Sequence, residues 1–476
     1  MSEHEHRALL ERAQTIGESI GEQAAKGLRF LVLSHFDADG LAAAGIVAKA
    51  LLRLGVALHV RIVRQLDEET LKSAFATPRD IIIFSELGSG YLDVIDSHHA
   101  SDRLYIIDHH PVVGDPASVE NHLNPNLFGY DGARDLSGAG TVYLAARTMG
   151  NNVDLAPLAV VGALGDMQDK NERRELTGLN VEIVTEAEKA GYLKAQTDLV
   201  FYGRETRPVY KALANTMNPF LPGLSGREDN CLSLFSSVKI PLKDGERWRT
   251  PADLTLEEKQ SLISKIVEHL TSLGFSGETA RSLIGQVYTL TREKEGTILR
   301  DAREFSATLN ACGRMGKRGL GVAICLGDRG AALTEVEALI RDYKQTLARY
   351  MDWITQNREK IQILKATSII RGEEYIDENM SGAISSMLSS TNGFDPDKAL
   401  IVVTKPKEDG VKISARISQK LAEKRVNLGE ILSALSKSLN GLGGGHNVAA
   451  GAKIPFEKLE HFLHEVDRRI AEQLGL

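Results

Sequence analysis

The segment Tyr105–Pro111 (YIIDHHP) ends an apolar run with one carboxylate and two imidazoles. A buried strand that ends in polar residues places their side chains at the carboxyl edge of a sheet, where open α/β sheets bind ligands. Asp108, His109 and His110 are suitable ligands for a divalent metal ion or partners for a phosphate. The tripeptide alone is a weak indication, because adjacent histidines after a strand are also a common surface feature.

Three further apolar segments lead into ionisable side chains: Leu28–Ser34, Asp80–Ser85 and Ala156–Asp169. After the first segment the polar residues alternate by two, so in an extended chain they point to the same side. They would repel one another unless a positive group lies between them, although one aspartate there is also a suitable helix N-cap. The ionisable residues that these segments add are His35, Asp37, Asp39, Glu86 and Asp166.

Strands and helices alternate over residues 28–170, which predicts an α/β domain with a doubly wound parallel sheet. In such a sheet the ionisable residues converge at one rim. A mostly helical middle region follows, and Glu335–Leu364 has helical periodicity without Gly or Pro. Strand patterns then predict a smaller C-terminal α/β domain. The predicted domains are a catalytic domain at 1–220, a helical middle region with a connecting helix at 221–366, and a C-terminal domain at 367–476.

Composition limits the classes of function. The chain has 476 residues, enough for two or three domains, and a net charge of −7 at pH 7. This charge argues against a protein covered in basic residues but allows a basic groove above an acidic, metal-filled site. Three cysteines without metal-like spacing indicate a reducing compartment, and no apolar run is long enough to span a membrane. We therefore expect a cytoplasmic protein without membrane contact.

Seven segments in this order resemble the DHH phosphoesterase superfamily, within it the RecJ-type nucleases, and most closely the archaeal branch called GINS-associated nuclease. SHFDADG, FSELGSG, IIDHHP and GALGDMQD resemble the four catalytic motifs. NPNLFGYDGARDLSGAGTVYLAA is similar to the RecJ segment between the third and fourth motifs, and LNACGRMG resembles the RecJ motif after the catalytic domain. GGGHNVAAGAKIP matches the hallmark of the DHH-associated C-terminal domain. Region 171–300 shows no family pattern.

The ionisable residues suit a site for two metal ions, which can clamp the attacking and leaving oxygens of a phosphodiester. Two imidazoles favour Mn²⁺ over Mg²⁺, since Mg²⁺ prefers shells of oxygen ligands. The resemblance implies that His110 faces the phosphate, and we expect His110, Asp39 and Asp108 to take part in catalysis. The predicted metal ligands are His35, Asp37, Asp39, Glu86, Asp108, His109 and Asp166.

Glu86 departs from the family pattern, because the second motif normally carries Asp at this position. In the family this carboxylate bridges two metals. The longer side chain can still bridge if the backbone lies further back. It can also move one ion away from the octahedral geometry that Mg²⁺ demands. The sequence therefore leaves open whether activity is normal, weakened or lost.

Two regions are predicted to hold nucleic acid. The polar end of the helix in LNACGRMG supplies one of them. In the C-terminal domain, polar residues alternate along a strand, and three glycines allow a phosphate backbone to approach the main chain. Around them Lys405, Lys407, Lys420, Lys424 and Arg425 add positive charge. The predicted nucleic-acid-binding residues are Asn310, Arg314, Ser414, Arg416, Gly443, Gly444, Gly445 and His446.

The sequence predicts a metal-dependent exonuclease that hydrolyses single-stranded DNA or RNA to 5′-mononucleotides, in replication or repair. The resemblance implies GINS and the replicative helicase as partners. One alternative is a catalytically impaired replisome scaffold, which only Glu86 favours. The other is a phosphodiesterase acting on small oligonucleotides or cyclic dinucleotides. The LNACGRMG segment and the long connecting helix favour the nuclease over this last class.

Overall fold

The computed structural model describes residues 3–96, 103–216, 219–275, 278–389, 394–405, 410–424 and 426–476. They form two compact units. The first contains the chain up to Thr216 and Leu221–Ile340, and the second contains Arg341–Leu476. The three-part division predicted from the sequence remains a prediction. In the described part of the chain, no helix is both long enough and apolar enough to cross a membrane.

A five-stranded parallel sheet forms the centre of the first unit, with strand order β2-β1-β3-β4-β5. Its three central strands are buried except for His35 at the end of the first, as expected for a parallel sheet covered on both faces. The predicted parallel α/β architecture is therefore confirmed. The strands are β1 (Phe30–His35), β2 (Leu58–Val63), β3 (Ile81–Ser85), β4 (Leu104–Ile107) and β5 (Asn121–Leu123).

Helices rich in alanine and glycine pack beside this sheet, because small side chains allow close approach. Asp37 caps one of them by accepting a hydrogen bond from Gly40 N, and Ser137 caps another through Gly140 N. The helices of this part are α1 (Glu3–Ala25), α2 (Ala38–Arg53), α3 (Glu68–Ala76), α4 (Leu92–Asp96), α5 (Gly138–Ala146), α6 (Ala156–Gly165) and α7 (Leu179–Lys189).

The next segment has small antiparallel strands and a separate apolar core. Its strands are β6 (Leu193–Leu199), β7 (Lys243–Asp244), β8 (Arg247–Trp248) and β9 (Ile284–Leu290). Its helices are α8 (Val209–Ala214), α9 (Glu228–Ser237), α10 (Leu256–Ser272) and α11 (Glu278–Arg281). Three more helices follow, namely α12 (Ala302–Arg314), α13 (Arg318–Leu326) and α14 (Ala331–Gln356).

The predicted helix Glu335–Leu364 ends at Gln356, because the residues that follow it form a strand against a neighbour. The second unit contains a six-stranded sheet with order β10-β11-β12-β13-β15-β14. Its strands are β10 (Ile361–Ile363), β11 (Thr367–Arg371), β12 (Ala399–Thr404), β13 (Val411–Arg416), β14 (Leu442–His446) and β15 (Ala449–Ile454). Its helices are α15 (Ser381–Ser389), α16 (Gln419–Glu423), α17 (Leu428–Ser438) and α18 (Leu459–Leu474).

Candidate functional site

The carboxyl ends of β1, β3 and β4 and the end of α6 bring the predicted metal ligands to one edge of the first unit. There, side chains form three overlapping groups whose candidate ligand atoms lie within 4.8 Å of one another. Every predicted ligand except Asp108 belongs to a group, and His110 joins them. The groups are His35, Asp37 and Glu86; Glu86, His109 and His110; and Asp39, His109 and Asp166.

Asp39 is held by the start of α5. Its two oxygens accept hydrogen bonds from Gly138 N at 2.7 Å and Ala139 N at 3.0 Å, so a helix N-terminus stabilises the carboxylate. Nevertheless, burial and the nearby carboxylates of Asp166 and Glu86 raise the pKa of Asp39 to about 7. A cation at this position would relieve the repulsion among these carboxylates.

Three buried polar atoms at this edge, His35 Nδ1, Glu86 Oε2 and His109 Nε2, make no hydrogen bond of good geometry within the described residues. Their neighbours are other candidate ligands: His35 Nδ1 lies 3.1 Å from Asp37 Oδ2 and 3.4 Å from Glu86 Oε2. Buried polar atoms in folded proteins are nearly always paired, so each such atom needs an explanation. Imidazole nitrogen and carboxylate oxygen together are a donor set suited to Mn²⁺. The residues present therefore fit a divalent metal centre.

His109 presents one particular nitrogen to this centre. Its Nδ1 lies 2.6 Å from the carbonyl oxygen of Gly132, which can only accept, so Nδ1 carries the proton. Nε2 is left facing Asp39 Oδ2 at 3.7 Å and Glu86 Oε1 at 3.9 Å. A ring whose far nitrogen donates to a carbonyl is the usual arrangement of a metal-binding histidine.

Asp108 lies behind the two histidines. Its oxygens accept hydrogen bonds from the backbone N–H groups of Ser89, His109 and His110 and from His110 Nδ1, which is 2.8 Å away. Burial opposes its ionisation, but His110 and these hydrogen bonds hold the pKa of Asp108 well below its usual range. The contacts indicate that Asp108 orients the His110 ring, while its predicted roles as ligand and catalytic group remain predictions.

His110 is the more exposed imidazole, with 41% of its side chain accessible. Burial opposes protonation, but the Asp108 carboxylate raises the pKa of His110 above its ordinary value. Because Nδ1 is bonded to Asp108, Nε2 is the nitrogen available to other groups, and it lies 3.8 Å from Glu86 Oε1. This arrangement suits a hydrogen-bond donor to a phosphoryl oxygen.

The backbone conformation of Glu86 and two neighbouring glycines allow its side chain to reach the candidate metal centre. Its φ of 58° lies in the left-handed region, which a glutamate rarely adopts, and the side chain is buried. A Cβ added to Gly138 would lie 2.4 Å from Glu86 Cγ, and one added to Gly40 would lie 2.8 Å from Glu86 Oε2. The space that a longer carboxylate needs is therefore present.

A buried network supports the histidines from behind, and the sequence analysis did not identify it. Asn124 Nδ2 donates to Ser89 Oγ at 2.8 Å and to the His110 carbonyl at 2.9 Å. Ser89 Oγ also lies 2.9 Å from His122 Nε2, and burial lowers the pKa of His122 to about 4. Asn126 Nδ2 donates to the His109 carbonyl at 2.8 Å. In the sequence, this network was indicated by the two asparagines that flank Pro125 in the NPNLFG segment.

The LNACGRMG segment packs against the loop that follows β1. Asn310 Oδ1 accepts a hydrogen bond from Ala38 N at 3.3 Å, and a Cβ on Gly313 would lie 1.9 Å from the Phe36 carbonyl oxygen. The end of α12 therefore supports the loop that carries His35 and Asp37. Asn310 and Arg314 are half-buried here, and their nucleic-acid contacts remain predictions.

The glycines of β14 differ from one another. A Cβ on Gly443 would lie 2.3 Å from Ser436 Oγ, and one on Gly445 would lie 2.5 Å from the Ala449 carbonyl oxygen. A Cβ on Gly444 would meet no atom of the described residues within 4 Å. Close packing thus explains Gly443 and Gly445, whereas the space beside Gly444 is open.

The other predicted residues of the second unit lie in neighbouring register positions. Gly444 pairs with Gly451, which pairs with Ser414, so these three residues form one row across the sheet. Arg416, Ala449 and His446 form the row two residues away, on the same face. We name Gly444, Gly451, Arg416, Ala449 and His446 the open sheet face; Ser414, at the end of the first row, is buried.

The surrounding positive charge is partly neutralised. Lys420 and Lys424 lie 2.8 Å and 3.9 Å from Asp397 Oδ1. Lys405 is exposed just after β12, while Lys407 and Arg425 lie outside the described residues. Ser414 Oγ is 2.8 Å from Ser381 Oγ on α15. Contacts to nucleic acid in this unit remain predictions.

Comparison with known proteins agrees with this geometry. The DHH-CID domain model matches residues 201–284, and the DHHA1 domain model matches residues 361–472. The first match assigns a family to much of region 171–300, where the motif analysis had found none. An uncharacterized protein of Methanocaldococcus jannaschii is 31% identical over 449 residues, 93% of either chain.

Two solved structures have similar folds. RecJ from Thermus thermophilus, crystallised with Mn²⁺, has a TM-score of 0.56 and 18% identity over 97% of this chain. This chain covers 55% of that RecJ, about half its length. Cdc45 from Entamoeba histolytica has a TM-score of 0.62 and 12% identity, covering 96% of this chain and 99% of its own.

The fold is RecJ-like, and the chain carries the DHH-CID and DHHA1 domains. The chain belongs to the DHH phosphoesterase superfamily, together with the uncharacterized protein of Methanocaldococcus jannaschii. The predicted family is therefore confirmed, including its C-terminal DHH-associated domain.

Proposed function

We propose that the protein is a metal-dependent exonuclease that hydrolyses the phosphodiester bonds of single-stranded DNA or RNA and releases 5′-mononucleotides. The observation that carries this proposal is the convergence of carboxylate oxygens and imidazole nitrogens in three overlapping groups at one sheet edge. Burying several carboxylates side by side is costly, and a cation held among them and the imidazole nitrogens would offset that cost. The RecJ-like fold supports phosphodiester hydrolysis as the chemistry.

Two Mn²⁺ or Mg²⁺ ions are the proposed cofactors. When bound, such ions lower the pKa of water and stabilise negative charge on phosphoryl oxygens. RecJ structures contain Mn²⁺ or Mg²⁺, which supports this choice. The proposed ligands are His35, Asp37, Asp39, Glu86, His109 and Asp166.

The protein's own groups orient the reacting phosphate. His110 donates from Nε2 to a phosphoryl oxygen, and Asp108 holds the ring by its bond to Nδ1. The α5 N-terminus keeps Asp39 directed toward the centre. The exposed position of His110 allows contact with a polymer, because a strand need not enter a closed cavity.

The open sheet face of the second unit is the proposed strand-binding surface. Gly444 and Gly451 are adjacent in register, so a phosphate or sugar can approach the backbone there without meeting a side chain. Arg416 and His446 in the neighbouring row are suitable partners for phosphate oxygens. GINS and the replicative helicase are proposed as partners, and a role in replication or repair follows from them.

A non-enzymatic replisome scaffold is the second candidate, because Glu86 occupies the position where the family carries Asp. In this case the protein would bind its partners without cleaving nucleic acid. The enzyme remains the better-supported candidate because the other candidate ligands are present and converge at one edge.

The decisive experiment is digestion of end-labelled single-stranded DNA and RNA with Mn²⁺, with Mg²⁺ and with chelator. We expect mononucleotide release that stops with chelator and in Asp166→Ala. Asp80→Ala is the matched control, since Asp80 lies at the opposite end of β3 and pairs with Arg29. Absence of cleavage with either metal, despite metal binding, would reject the exonuclease and favour the scaffold.

A further inference from the structure

A buried glutamine contacts the candidate metal centre from behind. Gln168 is 3% exposed, and its Nε2 lies 2.9 Å from the Gly132 carbonyl and 3.2 Å from Asp166 Oδ2. Both partners only accept, so the amide nitrogen must face them. Gln168 Oε1 in turn accepts a hydrogen bond from the buried Asn180 Nδ2 at 2.7 Å. This amide therefore has a single orientation.

The Gly132 carbonyl connects Gln168 to His109. The same oxygen accepts hydrogen bonds from His109 Nδ1 at 2.6 Å and from Gln168 Nε2 at 2.9 Å. A Cβ on Gly132 would lie 1.9 Å from the His109 carbonyl oxygen, so only glycine fits this position. Asn126 Oδ1 accepts a hydrogen bond from Gly132 N. The close packing against the His109 carbonyl and the hydrogen bond to Asn126 thus fix the Gly132 carbonyl in place.

The turn after α6 brings Gln168 back to Asp166. Met167, between them, has a φ of 59°, a left-handed conformation that is costly for a side chain with a Cβ. Such conformations persist where the surrounding contacts enforce them. Here the hydrogen bonds of Gln168 to Gly132 and Asp166 are contacts that hold the turn.

We propose that Gln168 is a positioning residue that fixes His109 and Asp166 relative to each other for binding a divalent cation. Asp39, His109 and Asp166 form one of the three candidate ligand groups, so two of its three members are oriented by the same amide. The inference rests on the metal centre of the proposed function but does not depend on the substrate. Groups that hydrogen-bond to metal ligands typically contribute about 10–100-fold to metal affinity.

Gln168→Met tests this proposal, because methionine has a similar length and cannot donate to either acceptor. We expect its Mn²⁺ affinity, measured by titration calorimetry at constant pH, to fall by about tenfold or more. The rise in melting temperature produced by Mn²⁺ should shrink in parallel, since stabilisation follows affinity.

The matched control is Gln196→Met. Gln196 Nε2 donates to Asp198 Oδ2 at 3.3 Å, a contact of the same kind to a carboxylate that pairs with Arg204 and Lys259. The Mn²⁺ affinity of Gln196→Met should equal that of the parent protein. In the absence of metal, both variants should melt within a few degrees of each other.

Asn180→Ala is the second variant and serves if Gln168→Met does not fold. It removes the donor to Gln168 Oε1, so the amide can turn, and a smaller loss of Mn²⁺ affinity is expected. Parent-like affinity in the folded Gln168→Met protein, or in Asn180→Ala if the former is unfolded, would overturn the proposal. A parent that binds Mn²⁺ but cleaves no nucleic acid would reject the exonuclease and leave this inference intact.

Discussion

The glycines of the metal centre and those of the open sheet face represent opposite uses of a missing side chain. At the candidate metal centre the space is filled by the side chains of the proposed ligands: a Cβ on Gly162 would lie 2.3 Å from Asp39 Oδ1, and one on Gly138 2.4 Å from Glu86 Cγ. On the sheet face, a Cβ on Gly444 would meet nothing within 4 Å among the described residues.

The two kinds of glycine have different roles. Gly162 and Gly138 make room for buried side chains, whereas Gly444 leaves the backbone of a strand accessible. A glycine in contact with a ligand lets helices approach so closely that carboxylates can be held in a buried cluster. A glycine next to open space gives no packing advantage, and in a strand it costs conformational entropy. What such a strand glycine offers is access, because another molecule can come close to its backbone. Alanine substitution should therefore damage the two sites in different ways.

Gly162→Ala should have the largest effect. The new methyl group would collide with Asp39 Oδ1 and with Ala139 Cβ at 2.5 Å, both in buried packing. We expect loss of measurable Mn²⁺ uptake by calorimetry, together with overpacking that costs about 1–3 kcal/mol of unfolding free energy.

The control is Gly21→Ala in α1, where a Cβ meets no described atom within 4 Å. It should leave Mn²⁺ binding unchanged and stabilise the helix by up to about 1 kcal/mol. If Gly162→Ala bound Mn²⁺ like the parent, Asp39 would not be a ligand in its observed position.

Gly443→Ala should act on stability. Its Cβ would lie 2.3 Å from Ser436 Oγ and 2.8 Å from the Leu432 carbonyl, so α17 must move away from β14. We expect a loss of about 1–3 kcal/mol in chemical denaturation, while Mn²⁺ affinity stays at the parent value. Unchanged stability would show that β14 and α17 are less closely packed than described.

Gly444→Ala should spare stability and reduce binding. The methyl group would project from the open sheet face, where a close contact to a phosphate can be worth about 1.5 kcal/mol, or roughly tenfold in affinity. Fluorescence anisotropy with a labelled single strand would measure this loss, and chemical denaturation would show parent-like stability. Parent-like affinity in Gly444→Ala would remove Gly444 from the strand-binding surface.

Much of the metal centre was predictable because it depends on local rules. Residues at the ends of parallel strands meet at one edge of the sheet. The alternation by two was a poorer guide, because Asp39 lies in the first turn of α2 and groups with His109 and Asp166. Asp166 lies at the end of helix α6, and only the convergence of Glu86 with the residues after β1 and β4 follows from the strand order. The orientation of Asp108 does not, because its oxygens are occupied by backbone N–H groups whose positions depend on the following turn.

Local sequence rules could not predict the residues that support the candidate ligands, because their partners are distant in the chain. Gln168 acquires its role from a carbonyl 36 residues away in the chain, and Asn310 from a backbone N–H 272 residues away. Likewise, Gly443 and Gly444 are indistinguishable in sequence, since their difference lies in whether α17 covers them. Local pattern also extended the helix at Glu335–Leu364 too far, because strand pairing of Ile361 and Ile363 outweighs helical periodicity.

Glu86→Asp should have the smallest effect, and its sign tests whether the metal centre is built for the longer carboxylate. The sequence suggested that Glu86 is a handicap, in which case aspartate should raise the Mg²⁺-supported rate more than the Mn²⁺-supported rate. The geometry favours the opposite sign. Gly40 and Gly138 leave room for the extra methylene, and the left-handed backbone places the carboxylate between His35 and His109.

Aspartate would withdraw the carboxylate from this space and leave a gap beside Gly138. We therefore expect Glu86→Asp to lower Mn²⁺ affinity by less than about tenfold and to slow cleavage with both metals. Calorimetry and steady-state rates in each metal give both readouts, with Glu69→Asp on exposed α3 as the control for a lost methylene. A faster Mg²⁺-supported reaction in Glu86→Asp would instead show that the two glycines tolerate the glutamate without making it the better ligand.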